Sequence, residues 1–291
     1  MAAAVSIRYF TDPGCPWAYS ATPALTVLRY RYGDQLHWDV TLIGLAEDPD
    51  RYVSRGYTPA RSAQGYRHFR RYGMPIATAP KARIPATGPA CRALVATRLL
   101  SPEHVWAALR ELQFGWFTTA LVMDEIDALR QCLGNVAGLD AAAVVSRIDD
   151  ADVEAAYSSD KGETRSAEGS PTDFQGKAAN TDGLVRYTAP SLIFSLNGSS
   201  LEAGGFQSIE AYDVLVANLD PTLERRQPPD DPLEVLESFS HGLTTLEVAA
   251  CMTHNLSQPD PAAAEDALIA LVAEGRAHRR ALGDDALWTA A

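Results

Sequence analysis

The sequence predicts an α/β protein whose sheet is interrupted by a long helical insertion and followed by a small C-terminal unit. Three observations support this prediction. A strand, turn, helix, strand pattern opens the chain, strand signals are lacking between residues 45 and 175, and they return at residues 187–195. With 291 residues, of which 46% are hydrophobic, the chain is long enough to bury a sizeable core.

The first part of the α/β domain occupies residues 1–44. Residues 5–10 are rich in β-branched and aromatic side chains, which predicts a buried strand. A proline and a glycine at residues 13–14 end this strand. Apolar residues at helical spacing predict a helix at residues 21–32, and a second strand is predicted at residues 36–43.

Residues 45–175 have the pattern of a helical subdomain inserted into this α/β domain. Prolines, glycines and acidic residues mark the ends of the predicted helices. Six helices are predicted, at residues 59–72, 88–100, 102–120, 124–133, 140–148 and 152–166.

The α/β domain resumes at residues 176–220. A strand is predicted at residues 187–195 and its partner at residues 200–203. Between them, the Asn-Gly pair at residues 197–198 is typical of a β-hairpin turn. A helix at residues 208–219 ends the domain.

A proline-rich, charged linker is predicted at residues 221–232, and a C-terminal unit at residues 233–291. Three helices followed by a short hairpin have the outline of a winged helix. From residue 231 onward, however, the chain has ten acidic residues but only three arginines. Because DNA binding depends on neutralising phosphates, we expect this unit to serve in packing or protein contact and expect no nucleic-acid partner.

Composition and charge exclude several other classes of function. The formal net charge of −12 disfavours nucleic acids and anionic membranes. No secretory signal and no run of about 18 apolar residues occurs, so we expect a cytoplasmic protein without a membrane partner. The six histidines and four cysteines show no metal-ligand spacing, so no metal site is predicted and the thiols should be free.

Cys15 is the candidate catalytic residue because it lies where the first strand passes into the first helix. Free backbone N–H groups at a helix start stabilise a thiolate, so we predict a pKa below the free value of about 8.5. Pro16 suits a first helical turn, and Trp17 can offer an apolar surface to a substrate. Cys91, Cys132 and Cys251 lie in apolar helical patterns and are predicted to pack in the core.

The segment Asp12–Tyr19 (DPGCPWAY) after an N-terminal strand resembles the DsbA-like branch of the thioredoxin superfamily. That branch includes FrnE-like oxidoreductases, 2-hydroxychromene-2-carboxylate isomerases and kappa-class glutathione transferases. Its members carry a helical insertion after the first βαβ unit, then a cis-proline loop, a hairpin and a last helix. Residues 5–220 follow this order, so the resemblance implies a thioredoxin-like fold.

The same resemblance assigns further site residues. The segment Thr188-Ala189-Pro190 precedes a predicted strand, as the cis-proline loop does in the family. It implies that Pro190 is a cis-proline packed beside Cys15. It also implies that the backbone at Thr188 and Ala189 pairs with a substrate peptide or a small thiol.

The sequence departs from the family at the fourth motif position. Redox members usually carry CPxC, whereas this chain has Ala18 there. A lone Cys15 can attack a disulfide but cannot resolve the mixed disulfide within the motif. Turnover then needs an external thiol such as glutathione or mycothiol, used as a co-substrate and not as a tightly bound cofactor. The sequence leaves open whether Cys91 or Cys132 serves as a resolving thiol.

Three functional hypotheses follow from this motif. The leading one is a cytosolic, DsbA-like thiol oxidoreductase with a single nucleophilic cysteine. The alternative is a thiol-dependent isomerase or kappa-type transferase acting on an aromatic substrate. The third is a non-enzymatic, redox-responsive regulator with the C-terminal unit as its output. The sequence does not decide between a monomer and a homodimer.

Overall fold

The structure is a computed structural model that describes residues 4–291, so the first three residues of the predicted 1–44 segment lie outside the described part. The opening unit has the predicted strand, helix, strand order, and one further short helix that was not predicted precedes the predicted one. Strand β1 runs parallel to β2, with Val5 opposite Leu36. The elements are β1 (Val5–Thr11), α1 (Pro16–Ser20), α2 (Thr22–Tyr32) and β2 (Leu36–Leu42).

The insertion contains eight α-helices among the described residues. The six predicted helices are present, and two short ones, α3 and α10, were not predicted from the sequence. None of the helices in residues 4–291 combines the length and the apolarity needed to cross a membrane. The eight are α3 (Asp50–Val53), α4 (Pro59–Arg67), α5 (Gly88–Leu100), α6 (Val105–Thr118), α7 (Ile126–Leu133), α8 (Ala141–Ser146), α9 (Ala151–Thr164) and α10 (Pro171–Phe174).

After the insertion the chain completes a four-stranded sheet in the order β2-β1-β3-β4, with β3 antiparallel to β1. The new elements are β3 (Ser191–Leu196), β4 (Ser199–Gly204) and α11 (Ile209–Leu219). β3 begins four residues later than predicted, because Pro190 has no N–H to donate to a strand ladder.

The C-terminal unit contains three helices and a second sheet of order β5-β7-β6. Its assignment to the winged-helix class and the predicted domain boundaries stay predictions. The elements are α12 (Pro232–Glu237), β5 (Leu243–Thr244), α13 (Thr245–Cys251), α14 (Pro261–Ala273), β6 (Ala277–Leu282) and β7 (Asp285–Ala290).

The C-terminal unit shares its apolar core with the first part of the chain. The fully buried Trp288 belongs to one hydrophobic cluster with Val27 and Tyr30 of α2. A buried ion pair between Arg110 of α6 and Glu247 of α13, with an N–O distance of 2.6 Å, adds a polar contact between the insertion and this unit. These contacts keep the C-terminal unit packed against the helices that support the sheet.

Candidate active site

Cys15 lies in the turn after β1 and forms the N-cap of α1, directly before Pro16. Its Sγ donates a hydrogen bond to the carbonyl oxygen of Ala189 at 3.1 Å, and the residue is only 6% exposed. The peptide bond between Ala189 and Pro190 is cis. The Thr188 hydroxyl donates a hydrogen bond to the backbone carbonyl oxygen of another loop residue, with an O–O distance of 3.0 Å. The fold therefore brings Cys15 and the Ala189–Pro190 loop into contact.

The environment of Cys15 favours the protonated thiol. Burial raises the pKa of Cys15 to about 12, and the negative charge of Asp12 adds to this rise. Backbone N–H groups of Trp17 and Ala18 and the cation of Arg186 lower the pKa by less. The sequence-based prediction of a pKa below 8.5 is therefore wrong for this structure, since burial outweighs the helix start.

Asp12 is a site residue that sequence reasoning quoted in the motif but did not assign a role. Its fully buried carboxylate accepts hydrogen bonds from Gly14 N at 2.9 Å, Leu45 N at 2.8 Å and Thr87 Oγ1 at 3.0 Å. The Cys91 thiol also points at it, at 3.6 Å. Burial raises the pKa of Asp12. The carboxylate thus fixes the turn before Cys15, and an aspartate two residues before a turn glycine was the available signal.

The fourth motif position carries no thiol and is closed to solvent. Ala18 is fully buried and shares a small apolar cluster with Cys15, Phe10 and Ile43. All four cysteines are free and buried. The thiol of Cys132 contacts a methionine sulfur at 4.0 Å.

Trp17 anchors a partly exposed group of aromatic side chains next to the motif. Trp17 itself is 40% exposed. It lies edge-to-face on Phe69 with ring centroids 5.0 Å apart, and the Tyr72 and Phe206 rings lie 5.5 and 5.9 Å from it. We call Trp17, Phe69, Tyr72 and Phe206 the aromatic cluster. Because its members come from three separate segments, local sequence patterns do not show it.

A cleft of ≈310 Å³ opens beside the motif. Gly14, Pro16 and Trp17 form one wall, and aromatic side chains of the insertion form much of the other, namely Tyr52, Tyr57, Tyr66, Phe69 and Trp116. We call it the active-site cleft. Its lining suits an apolar or aromatic group placed next to Cys15.

Cations also line the active-site cleft. Lys81 donates to the carbonyl oxygens of Thr119 and Leu121 at 3.0 and 2.7 Å, and burial lowers its pKa to about 8. Arg61 donates to a backbone carbonyl at 3.0 Å. Among residues 4–291, neither cation has a carboxylate within 4 Å, unlike Arg83, which pairs with two acidic side chains. Two cations of this cleft are therefore available to an anionic ligand.

The C-terminal unit contacts the segment that carries Phe69 and Tyr72. Asp284, in the turn between β6 and β7, accepts a hydrogen bond from the backbone N of Ile76 at 2.9 Å. Its second oxygen lies 3.3 Å from Nε of Arg70, which itself donates to the carbonyl of Ile76. The turn between β6 and β7 therefore holds in place the segment that carries Phe69 and Tyr72.

Comparison with protein-family models found no match, and comparison with curated protein sequences found none either. Solved structures do match. A candidate protein disulfide isomerase from Nitrosomonas europaea has a TM-score of 0.55 at 17% identity, covering 74% of this chain and 97% of its own. A candidate DsbA oxidoreductase from Streptomyces coelicolor has a TM-score of 0.55 at 15% identity, with 78% and 93% covered.

The cytosolic disulfide reductase DsbM from Pseudomonas aeruginosa also matches, with a TM-score of 0.50 at 16% identity, covering 75% of this chain and 98% of its own. At these identities the similarity concerns the fold. It agrees with the order of strands and helices described above. The chain has a DsbA-like thioredoxin fold.

Proposed function

We propose that this protein is a cytoplasmic thiol oxidoreductase that uses Cys15 as its nucleophile and a small external thiol as co-substrate. The observation that carries the proposal is the contact of Cys15 Sγ with the Ala189–Pro190 loop in a motif whose fourth position is the buried Ala18. Similar structures named as a disulfide reductase and a candidate DsbA oxidoreductase support this kind of reaction.

The reaction is a thiol–disulfide exchange in two steps. The Cys15 thiolate attacks one sulfur of a substrate disulfide, forming a mixed disulfide and releasing the other half as a thiolate that takes up a proton. The thiolate of the external thiol then attacks the substrate sulfur of the mixed disulfide. This second step forms a new disulfide between that sulfur and the external thiol, and it returns Cys15 as a thiolate.

The resting site keeps Cys15 protonated, so deprotonation accompanies substrate entry. A substrate that replaces the contact with the Ala189 carbonyl removes an interaction that favours the thiol. The N–H groups of Trp17 and Ala18 and the charge of Arg186 then stabilise the thiolate.

The active-site cleft supports a small, acidic thiol as the co-substrate. Its volume of ≈310 Å³ is at the lower end for ligand sites, which span roughly 300 to 1,000 Å³. Arg61 and Lys81 supply charge for carboxylates, which glutathione carries. The exposed face of Trp17 supplies apolar contact near the reacting sulfur.

The test is turnover of a small disulfide with and without glutathione. We expect wild-type turnover to require the external thiol and a Cys15 mixed disulfide to be trapped by acid quench and found by mass spectrometry. Cys15→Ser should abolish both. Cys251→Ala, at a buried thiol of the C-terminal unit, is the matched control and should retain activity. Equal turnover by Cys15→Ser and wild type would overturn the proposal.

An isomerase or transferase acting on an aromatic substrate is the second candidate. The aromatic lining of the active-site cleft and the protonated resting thiol favour it. In this case the small thiol, and not Cys15, forms the covalent bond with the substrate. Activity on an aromatic electrophile that survives in Cys15→Ser and still requires glutathione would favour this candidate over the first.

A further inference from the structure

We propose that a second cleft, remote from Cys15, binds a small organic anion through a phosphate or carboxylate group. This cleft has a volume of ≈910 Å³ and lies where α2 and β2, the start of α6 and the C-terminal unit meet. We call it the junction cleft. Its Leu36 and Trp38 pair with the start of β1, whereas Cys15 follows the end of that strand. Seven strand residues separate the two sites by roughly 20 Å.

Three side chains that line the junction cleft carry buried polar atoms without hydrogen-bond partners. Nη1 of Arg29, Nε1 of Trp38 and Nε2 of His241 are all buried and have no hydrogen-bond partner within residues 4–291. The first two atoms are obligatory donors. A buried donor without an acceptor costs about 1–3 kcal/mol, so such atoms are rarely left without a partner. Two buried donors on residues that line one cleft indicate a ligand that supplies acceptors.

The charge of the junction cleft indicates that the ligand is an anion. Among the described residues, neither Arg29 nor Arg226 has a carboxylate within 4 Å, although the chain carries a formal net charge of −12. Arg226 donates to the Ser238 hydroxyl, while the third arginine of the cleft, Arg280, pairs with Glu111. Burial lowers the pKa of Arg29 only to about 10, so its guanidinium stays charged at neutral pH.

Packing holds the Arg29 guanidinium in a defined orientation. It lies over the Trp106 ring at 4.1 Å from the centroid, and the Trp38 ring lies edge-to-face on Trp106 at 5.5 Å. Burial and the charge of Arg110 lower the pKa of His241 well below its ordinary value, so its imidazole is neutral. A guanidinium held by packing and an indole N–H on residues of the same cleft suit the oxygens of a phosphate or carboxylate.

The size of the cleft excludes an inorganic ion as a filling ligand and fits a metabolite-sized molecule. Exposed carboxylates of Asp34 and Glu103 also line it, and Glu103 lies 3.3 Å from His104. These two groups lie at the solvent edge, whereas the unpartnered donors are buried. The anionic end of the ligand therefore binds inward, at Arg29.

Calorimetric titration of the full chain tests the proposal, with AMP as the phosphate probe, citrate as the carboxylate probe and adenosine as the uncharged control. We expect one of the two anions to bind with one site per chain and adenosine not to bind. Arg29→Gln should weaken binding about tenfold or more, because it removes a charge-assisted hydrogen bond. Trp38→Phe keeps the ring but removes the donor, and should weaken binding roughly threefold or more.

Two controls separate this site from others. Arg130→Gln removes the same charge from an exposed pair on α7 and should bind as wild type does. Cys15→Ser should also bind normally, whatever its effect on disulfide exchange. No saturation by either anion up to about 10 mM overturns the proposal. Unchanged affinity in Trp38→Phe, or loss of binding in Cys15→Ser, also overturns it, even if Arg29→Gln does not fold.

Discussion

The Cys15 thiol and the Ala189 carbonyl oxygen lie 3.1 Å apart, although 174 residues separate them in the chain. The carbonyl oxygen accepts a hydrogen bond from the thiol, so this contact favours the neutral form of Cys15. It also closes the loop over the sulfur, which leaves the residue 6% exposed. The resting site is thus a protected thiol, and its reactivity should depend steeply on pH.

We expect the rate of alkylation of Cys15 by iodoacetamide to rise about tenfold per pH unit from pH 6 to pH 9, without a plateau. The reason is that burial raises the pKa of Cys15 to about 12, so the thiolate fraction grows in proportion to hydroxide across this range. Mass spectrometry of the Cys15 peptide measures the rate, and Cys15→Ser identifies the background. A plateau with a midpoint below 8.5 would contradict the structure and restore the sequence-based prediction.

Ala18→Cys should convert the monothiol site into a dithiol site. Residues 15 and 18 are three apart at a helix start, a spacing that meets the Cα–Cα requirement of a disulfide of about 4.4–6.8 Å. The new thiol would be buried like Ala18, so it is shielded from outside thiols. We expect an intramolecular disulfide after one turnover and no accumulated mixed disulfide.

Mass spectrometry of the oxidised variant and the dependence of turnover on glutathione measure this effect. Ala18→Ser is the matched control, since it adds a group of similar size without a thiol, and it should behave as a monothiol site. A mixed disulfide that accumulates equally in Ala18→Cys and Ala18→Ser would show that residue 18 cannot reach the Cys15 sulfur.

Asp284→Ala should raise the KM for a disulfide substrate by roughly three- to tenfold with a smaller effect on kcat. The substitution removes the acceptor of Ile76 N–H and loosens the segment that packs Phe69 and Tyr72 against Trp17. Cys15 itself is untouched. Steady-state kinetics measure the split, and Trp17 fluorescence reports on the aromatic cluster.

Asp284→Asn keeps an oxygen that accepts from Ile76 N–H and should restore most of the wild-type KM. Asp266→Ala, at an exposed position of α14 with no hydrogen bond in the described chain, should have no effect. A loss of kcat equal to the change in KM, or no rescue by Asp284→Asn, would assign Asp284 a merely structural role.

Much of the fold was predictable because its elements have clear local patterns. Alternation, helical spacing and turn residues predict the four strands of the first sheet and the six longer helices of the insertion. The two short helices α3 and α10 have only four residues each, too few for a periodic pattern. The proximity of Cys15 and Pro190 was predicted from the family resemblance of the Asp12–Tyr19 motif, because local sequence patterns do not show which distant segments meet.

The electrostatics of the site were not predictable for a related reason. A helix start is visible in the sequence and lowers a thiol pKa, whereas the burial that outweighs it depends on contacts with distant segments, including a loop 174 residues away. The donors that hold Asp12 likewise come from positions as distant as Leu45 and Thr87. Long-range contacts of this kind depend on the assembled fold.

The buried pair between Arg110 and Glu247 should make the protein sensitive to acid. Both Arg110 Nη atoms donate to the Glu247 carboxylate, at 2.6 and 2.8 Å, and Thr26 and Thr244 N also donate to it. Burial alone would raise the pKa of Glu247, but these partners outweigh it and lower the pKa below 4.5. The native state therefore binds this proton less readily than the unfolded chain does.

The resulting stabilisation is fully present above about pH 4.5 and is lost as the pH falls through the lower native pKa. Glu247→Gln should cost about 3–5 kcal/mol of unfolding free energy at pH 7, since it leaves the Arg110 charge buried without a counterion. Asp127→Asn, at an exposed ion pair, is the control and should cost less than about 1 kcal/mol.

Urea denaturation at pH 7 and at pH 4 measures both effects. Combining Arg110→Met with Glu247→Leu should cost less than Glu247→Gln alone, because neither charge then remains buried without a partner. If Glu247→Gln is no less stable than the Asp127→Asn control, or if wild type loses no more stability on acidification than Glu247→Gln does, the pair does not stabilise the contact between α6 and α13.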